Sequence, residues 1–413
     1  MSEQKDRDIV RSLAAHTAEL AALPVQQERI DGWKRINGLK PHRPMVWITE
    51  IPWGEFENDV EELRPACEDP RLRSLEMGFR HQHFTVERLG VDEVVTDWFD
   101  VPKCIAGTGY GVQTDERTIR QGDSPIVAHE YHAVIQDFPD IKKIQIPEVS
   151  HDEDATQRQV EFFEDLLGDI LHVRASGVRQ QFFWAWDALV SWTGVTRALM
   201  DLVERPDFIH AIMRRMTDSM LAQMTQLEEQ GLLDDSTPIA RVGSGAAGWT
   251  DELPQPDADL DHIRLIDQWG GATPQIFSDV SPEMHDEFAL AYENEVMERC
   301  GLNYYGCCEP LHNKMDLMAK VPRLRKISIS PWCDTAKAAE RATRPYVFSH
   351  KPSPAILAGD GFDAARAEKD LRDRIAQSGD MPCEIIMKDI STVRGDVQRV
   401  IDWCELANRI ARE

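Results

Sequence analysis

The chain has 413 residues, with 46 Lys and Arg against 72 Asp and Glu, giving a formal net charge of −26. That balance argues against nucleic acid and against an anionic membrane surface as partners. Hydrophobic residues at 42% and charged residues at 29% fit a globular protein, with length for one large α/β barrel or two medium domains.

The first eight residues are polar and carry no apolar core of a secretory signal. No later stretch approaches the ~18 apolar residues of a membrane span. The 8 cysteines are not spaced as the disulfide framework of a short secreted chain, so a reducing cytoplasm is the expected location.

Residues 6–22 read as an amphipathic helix with Ile9, Leu13 and Leu20 on one side, and 25–39 as a second helix ended by Gly38. Together they make an N-terminal helical extension over residues 1–40. Residues 44–48 read as the first strand. Glu50 and Trp53 follow it as candidate pocket residues, Trp53 as a substrate contact weighed against ordinary packing. A helical run over 69–89 holds His81 and His83, whose spacing of two points them in different directions and makes a poor metal clamp. The glycines at 107, 109 and 111 lack a phosphate-loop lysine and the dinucleotide fingerprint, so NAD and ATP are not expected ligands.

Residues 151–167 read as a solvated helix and 170–174 as a strand. The aromatic run from Phe182 to Trp186 suits either the wall of a cavity for a flat or apolar substrate or the wall of a large core, with Trp184 and Trp186 as the candidate contacts. Pro206 starts a helix to residue 229. A glycine-rich loop over 243–254 carries Trp249, a further candidate contact. Residues 259–269 read as a helix and 275–279 as a strand ending in Asp279. Ser281, Pro282 and Glu283 then form a helix start, as cap, first position and first turn.

The stretch from Gly301 to Pro310 is the most informative. Leu302, Tyr304 and Tyr305 form a buried strand end, Gly306 turns the backbone, and Cys307, Cys308 and Glu309 stand at the mouth of the next loop. Further strands over 326–330, 346–350 and 384–387 end at Cys333 and Asp334, at His350, and at Lys388 and Asp389. Helices are expected over 335–341 and 396–410. This alternation predicts a single (β/α)8 TIM-type barrel over residues 41–413, with its site at the strand C-terminal ends. Cys307, Cys308, Glu309 and Cys333 are the candidate metal ligands, zinc the expected ion, and Asp279, Cys307 and His350 the candidate catalytic residues. A metal-free alternative uses Asp279 or Asp389 to hold or protonate substrate.

From about residue 184 to the C-terminus the chain resembles the uroporphyrinogen decarboxylase superfamily. The supporting residues are Gly194 with its following helix, Arg205-Pro206, the loop from Gly243 to Pro254, Phe277-Ser278-Asp279, and Ser349 to Pro354. The superfamily's zinc-dependent methyltransferases carry His-x-Cys-Gly where this chain has Tyr305-Gly306-Cys307-Cys308. Cys307 matches their ligand cysteine. Tyr305 replaces the histidine and becomes a candidate substrate contact, while Cys383 lies before the strand that their later ligand cysteine follows. The decarboxylase branch's arginine-rich N-terminal motif has no match around residues 47–56.

The resemblance therefore implies a corrinoid-linked methyltransferase, moving a methyl group between a small substrate, such as a methoxylated aromatic, and cobalamin. No Asp-x-His-x-x-Gly stretch is present, so the corrinoid is expected on a partner protein or bound as free cobalamin. A homodimer is compatible with the sequence. The alternatives are a decarboxylase or lyase acting on a small organic acid, and a non-catalytic cobalamin-binding member.

Overall fold

The structure, a computed structural model, describes residues 2–120 and 127–413. The chain divides into two compact units. One comprises Met1–Cys104, Asp152–Ser176 and Val347–Glu413; the other comprises Ile105–His151 and Gly177–Tyr346. Both are α/β with short parallel strands, the class the sequence predicts.

In the first unit the strand Cys383–Met387 lies between Met45–Ile48 and Val347–His350, parallel to both. Every residue of these three strands is buried. This explains their near-continuous apolar runs, since a parallel strand covered on both faces has no solvent side to alternate with. Val46, Ile48, Ile385 and Met387 join Trp403 and Cys404 of the helix Gln398–Arg412 in one core. The helices Ser2–Ala21, Pro70–His83 and Glu153–Leu167 share a second core around Val10, Phe79 and Leu166. Asp69 caps the middle one by accepting the N–H groups of Arg71 and Leu72, with Pro70 at its first position. The strand expected at 170–174 is His172–Ser176, and among the described residues it pairs only with Trp98–Pro102.

In the second unit the parallel strands run in the spatial order Gln180–Phe183, Trp269–Ala272, Leu302–Tyr305, Leu324–Ile329. One of them corrects the sequence reading. The helix expected over 259–269 is absent: residues 259–268 are irregular apart from a short turn of helix at Leu265–Asp267, and Trp269 opens a strand. Residues Gln275–Asp279 form a 3₁₀ turn rather than a strand, so Asp279 does not stand at a strand end. The strand is Trp269-Gly270-Gly271-Ala272. A Cβ on Gly271 would lie 2.4 Å from the Tyr304 carbonyl oxygen and 2.5 Å from the Phe182 ring. One on Gly270 would lie 2.5 Å from Cys300 Sγ. Close packing demands glycine there, and glycine erases the β-branched signal by which strands are read.

No helix among the described residues is long and apolar enough to cross a membrane.

Candidate functional site

The second unit gathers its chemistry where its strands end. Tyr305 closes a fully buried strand, and Gly306 adopts φ +91°, which glycine tolerates and other residues resist. The loop that follows is anchored at each side of Cys307. The Cys307 N–H donates to Glu309 Oε2 at 2.9 Å, and Ser328 Oγ donates to the Cys307 carbonyl at 2.5 Å. Thr273, just beyond Trp269–Ala272, donates its hydroxyl to the Glu309 carboxyl at 3.0 and 3.2 Å. Ser244, in the glycine-rich loop, donates to the Gly306 carbonyl at 3.1 Å and meets the Tyr304 hydroxyl at 3.0 Å. These bonds turn Cys307 and Cys308 so that their sulfurs lie 3.6 Å apart. Cys307 is buried, Cys308 partly exposed and Glu309 fully buried.

Behind this loop lies a buried polar chain. The Tyr305 hydroxyl donates to Glu293 Oε2 at 2.7 Å and lies 2.7 Å from His285 Nε2. His285 Nδ1 and Glu293 Oε1 are buried without a hydrogen-bond partner. Lys314, also buried, donates to the Phe277 carbonyl at 2.5 Å.

Burial sets the protonation of these groups. It raises the Glu309 carboxyl to about 7, against the opposing bonds from Cys307 and Thr273. It raises Glu293 to about 8, helped by the neighbouring Glu309 and Asp187, and it holds His285 well below the usual imidazole range. Lys314 is lowered to about 8, also chiefly by burial, with Glu309 and Asp279 opposing. The site thus holds two carboxyls and an ammonium that exchange protons near neutral pH.

Linkage gives a test. Folded Glu293 keeps its proton up to about pH 8, whereas the unfolded residue loses it near 4.5. Between those values the native state binds more protons, so this residue's contribution to stability falls as pH rises. Glu293→Gln, which cannot ionise, is expected to gain stability relative to the wild type between pH 5 and pH 8 in urea titrations. A pH-independent difference would refute the buried, protonated state.

The remaining candidates separate into several environments. Trp184 stands 37% exposed beside Phe182, with ring centroids 4.3 Å apart, and is available to a ligand. Trp186 is fully buried. It packs on Phe277 and donates to the Phe288 carbonyl, so it builds the wall rather than lining a surface. Trp249 is half-buried in its loop. Tyr305 is fully buried and committed to Glu293 and His285, which corrects its expected place on a ligand surface. Asp279 is exposed, and its charge is felt by Lys314. Cys333 is buried in the loop after Leu324–Ile329.

The first unit holds the others. His350 ends its strand, fully buried, with Nε2 2.7 Å from Ser378 Oγ. Trp53 stacks on His81 at 3.9 Å. Lys388 bridges Asp389 at 2.6 Å and Glu50 at 3.4 Å, and both acids adopt positive φ at adjacent strand ends.

Among the described residues no three His, Cys, Asp or Glu side chains converge as a metal site. Zinc needs at least three protein donors. Cys307 and Cys308 supply two sulfurs, while Glu309 is engaged by Thr273 and the Cys307 N–H. The side chains as arranged do not fit zinc.

Sequence reasoning missed His285 and Glu293. They are eight apart on a helical run, about 80° around an ideal α-helix, toward the edge of a shared face. The π-helical turn Asp286–Leu290 inserts about one residue between them, restoring the two-turn alignment that seven residues give in an α-helix. No residue pattern announces that insertion. Lys314 carried a weak signal, as a lysine at the start of a short apolar helix.

No family model matches the chain, and no curated protein matches it. Its fold is similar to that of a methyltransferase from Methanosarcina mazei, with a TM-score of 0.50 over 92% of this chain and 98% of that one, at 10% sequence identity. At such identity the likeness bears on the fold alone.

Proposed function

We propose that the protein is a methyltransferase of the uroporphyrinogen decarboxylase superfamily, with its parallel strands forming part of a closed (β/α)8 barrel. Its reaction passes a methyl group from a small methoxylated aromatic to a corrinoid acceptor, free cobalamin or a corrinoid partner protein. The observation that carries this reading is the meeting, at one strand end, of the Cys307–Cys308 sulfur pair with a Glu309 carboxyl that burial keeps protonated to about pH 7. The order of strand-end residues and the methyltransferase-like fold support it.

A methyl ether is a poor electrophile because its oxygen leaves as an anion. Glu309 is the acid that hands that oxygen a proton as the carbon–oxygen bond breaks, and Lys314 beside it offsets the carboxylate left behind. The corrinoid supplies the electron pair that receives the methyl group. Cys307 presents its sulfur to the methyl-bearing end of the substrate, and the exposed Trp184 offers a flat face to the ring.

The test is conversion of 4-methoxybenzoate or methoxybenzene with cob(I)alamin by the purified protein, followed by the absorbance of methylcobalamin. Turnover is expected to fall as pH rises through about 7, because Glu309 must hold its proton. No methyl transfer to any corrinoid, free or protein-borne, with cleavage of a small organic acid instead, would replace this reading with a lyase.

A further inference from the structure

The first unit carries a cavity of about 630 Å³ between the helices Ser2–Ala21, Pro70–His83 and Glu153–Leu167 and the strand Trp98–Pro102. Its size falls within the range of small-molecule sites. The proposed methyl transfer makes no use of it. Phe79, Trp98, Phe99 and Phe163 give it aromatic walls, and Gln82 and Thr96 add polar edges.

Two features indicate what it takes. The first is Arg71. Its guanidinium lies over the Phe162 ring at 3.5 Å and within 4.9 Å of the ring of Phe163, which lines the cavity. Among the described residues no carboxylate pairs with it. The cavity's own acid, Asp100, is bound by Arg174 at 2.8 Å. In a chain of net charge −26, this unpaired guanidinium at the cavity's edge offers a positive charge and a planar set of donors to an anion.

The second is Gly78, inside the helix Pro70–His83. Glycine in a helix interior is worse than alanine by about 1 kcal/mol. Neither its backbone nor its neighbours call for it: its φ is not positive, and a Cβ there would meet no atom within 4 Å. The missing side chain leaves the cavity wall open.

We propose that this cavity binds a small aromatic carboxylate, its ring against Trp98 and Phe99 and its carboxylate on Arg71. A single ring with one carboxylate matches the flat walls and the one unmatched charge. This inference does not rest on the methyltransferase reading, because the groups assigned to that reaction belong to the other unit.

The experiment is calorimetric titration of the full chain with benzoate and with the neutral benzyl alcohol. Wild type is expected to bind benzoate saturably and more tightly than benzyl alcohol. Arg71→Gln, at an exposed position, should weaken benzoate by roughly ten- to a hundred-fold and leave benzyl alcohol unchanged. Gly78→Leu should abolish uptake of both with no drop in the thermal midpoint, because leucine favours the helix and its side chain enters open space. The proposal is overturned by absence of saturable benzoate uptake, by benzoate affinity unchanged in Arg71→Gln, or by equal losses for the two probes in that variant. It is also overturned if the cavity proves to be covered by a second copy of the chain, seen as a dimer in sedimentation that Gly78→Leu disrupts.

Discussion

Cys307→Ala is expected to lower the turnover of methyl transfer by about 10³-fold or more while leaving the fold intact. The separation of effects follows from how the residue is held. Its N–H is bound by Glu309 and its carbonyl by Ser328, and both bonds belong to the main chain. Alanine keeps them and removes only the sulfur. The cost in stability is then that of one small buried group, about 1 kcal/mol. Cys308→Ala removes a more exposed sulfur 3.6 Å away and is expected to lose less. The measurement is methylcobalamin formation under saturating substrate, paired with urea denaturation of each variant. Unchanged turnover in Cys307→Ala would remove the thiol from the mechanism and leave Glu309 and Lys314 as the acid–base pair of a lyase.

Trp186→Ala is expected to destabilise the protein by about 3–5 kcal/mol, and Trp184→Ala by less than about 1 kcal/mol. The two are neighbours but one in the sequence, and their surroundings differ completely. Trp186 is fully buried, with its ring centroid 4.4 Å from that of Phe277 and its indole N–H donating to the Phe288 carbonyl at 3.2 Å. Truncation opens a large void and strands a buried carbonyl. Trp184 is 37% exposed at the start of the helix Ala185–Thr193, and its loss is expected to show in KM for aromatic substrates instead. Chemical denaturation of both variants beside substrate titrations checks this. Equal destabilisation would contradict the division between wall and ligand surface.

The aromatic run shows how far sequence could go. Its composition announced a large apolar surface, and left cavity wall and packed core as equal readings. Side-chain direction decides between them, and that depends on where the strand Gln180–Phe183 stops and the helix begins. A boundary shift of one residue in a strand would have exchanged the faces.

Elements with local chemistry at their ends were legible almost to the residue. The helix Thr335–Arg341 begins at the Asp334 cap, which accepts the Lys337 N–H, and the helix Pro206–Glu229 begins at its proline. The parallel strands ending at Ile48, Tyr305, His350 and Met387 were legible as apolar runs. The strand Trp269–Ala272 was not, because its glycines answer to Tyr304, Phe182 and Cys300, which are remote in sequence.

The candidate site divides in the same way. The sequence by itself determined that Cys307, Cys308 and Glu309 follow a strand and a turning glycine, since strand propensity and glycine's freedom act over a few residues. Only the tertiary structure decided what those groups are. Burial makes Glu309 a proton donor near pH 7, Thr273 and Ser328 come from neighbouring strand ends, and a π-helical turn brings both His285 and Glu293 to Tyr305. Desolvation and hydrogen bonding between distant segments depend on three-dimensional packing, so neither the protonation states nor the partners could be read along the chain.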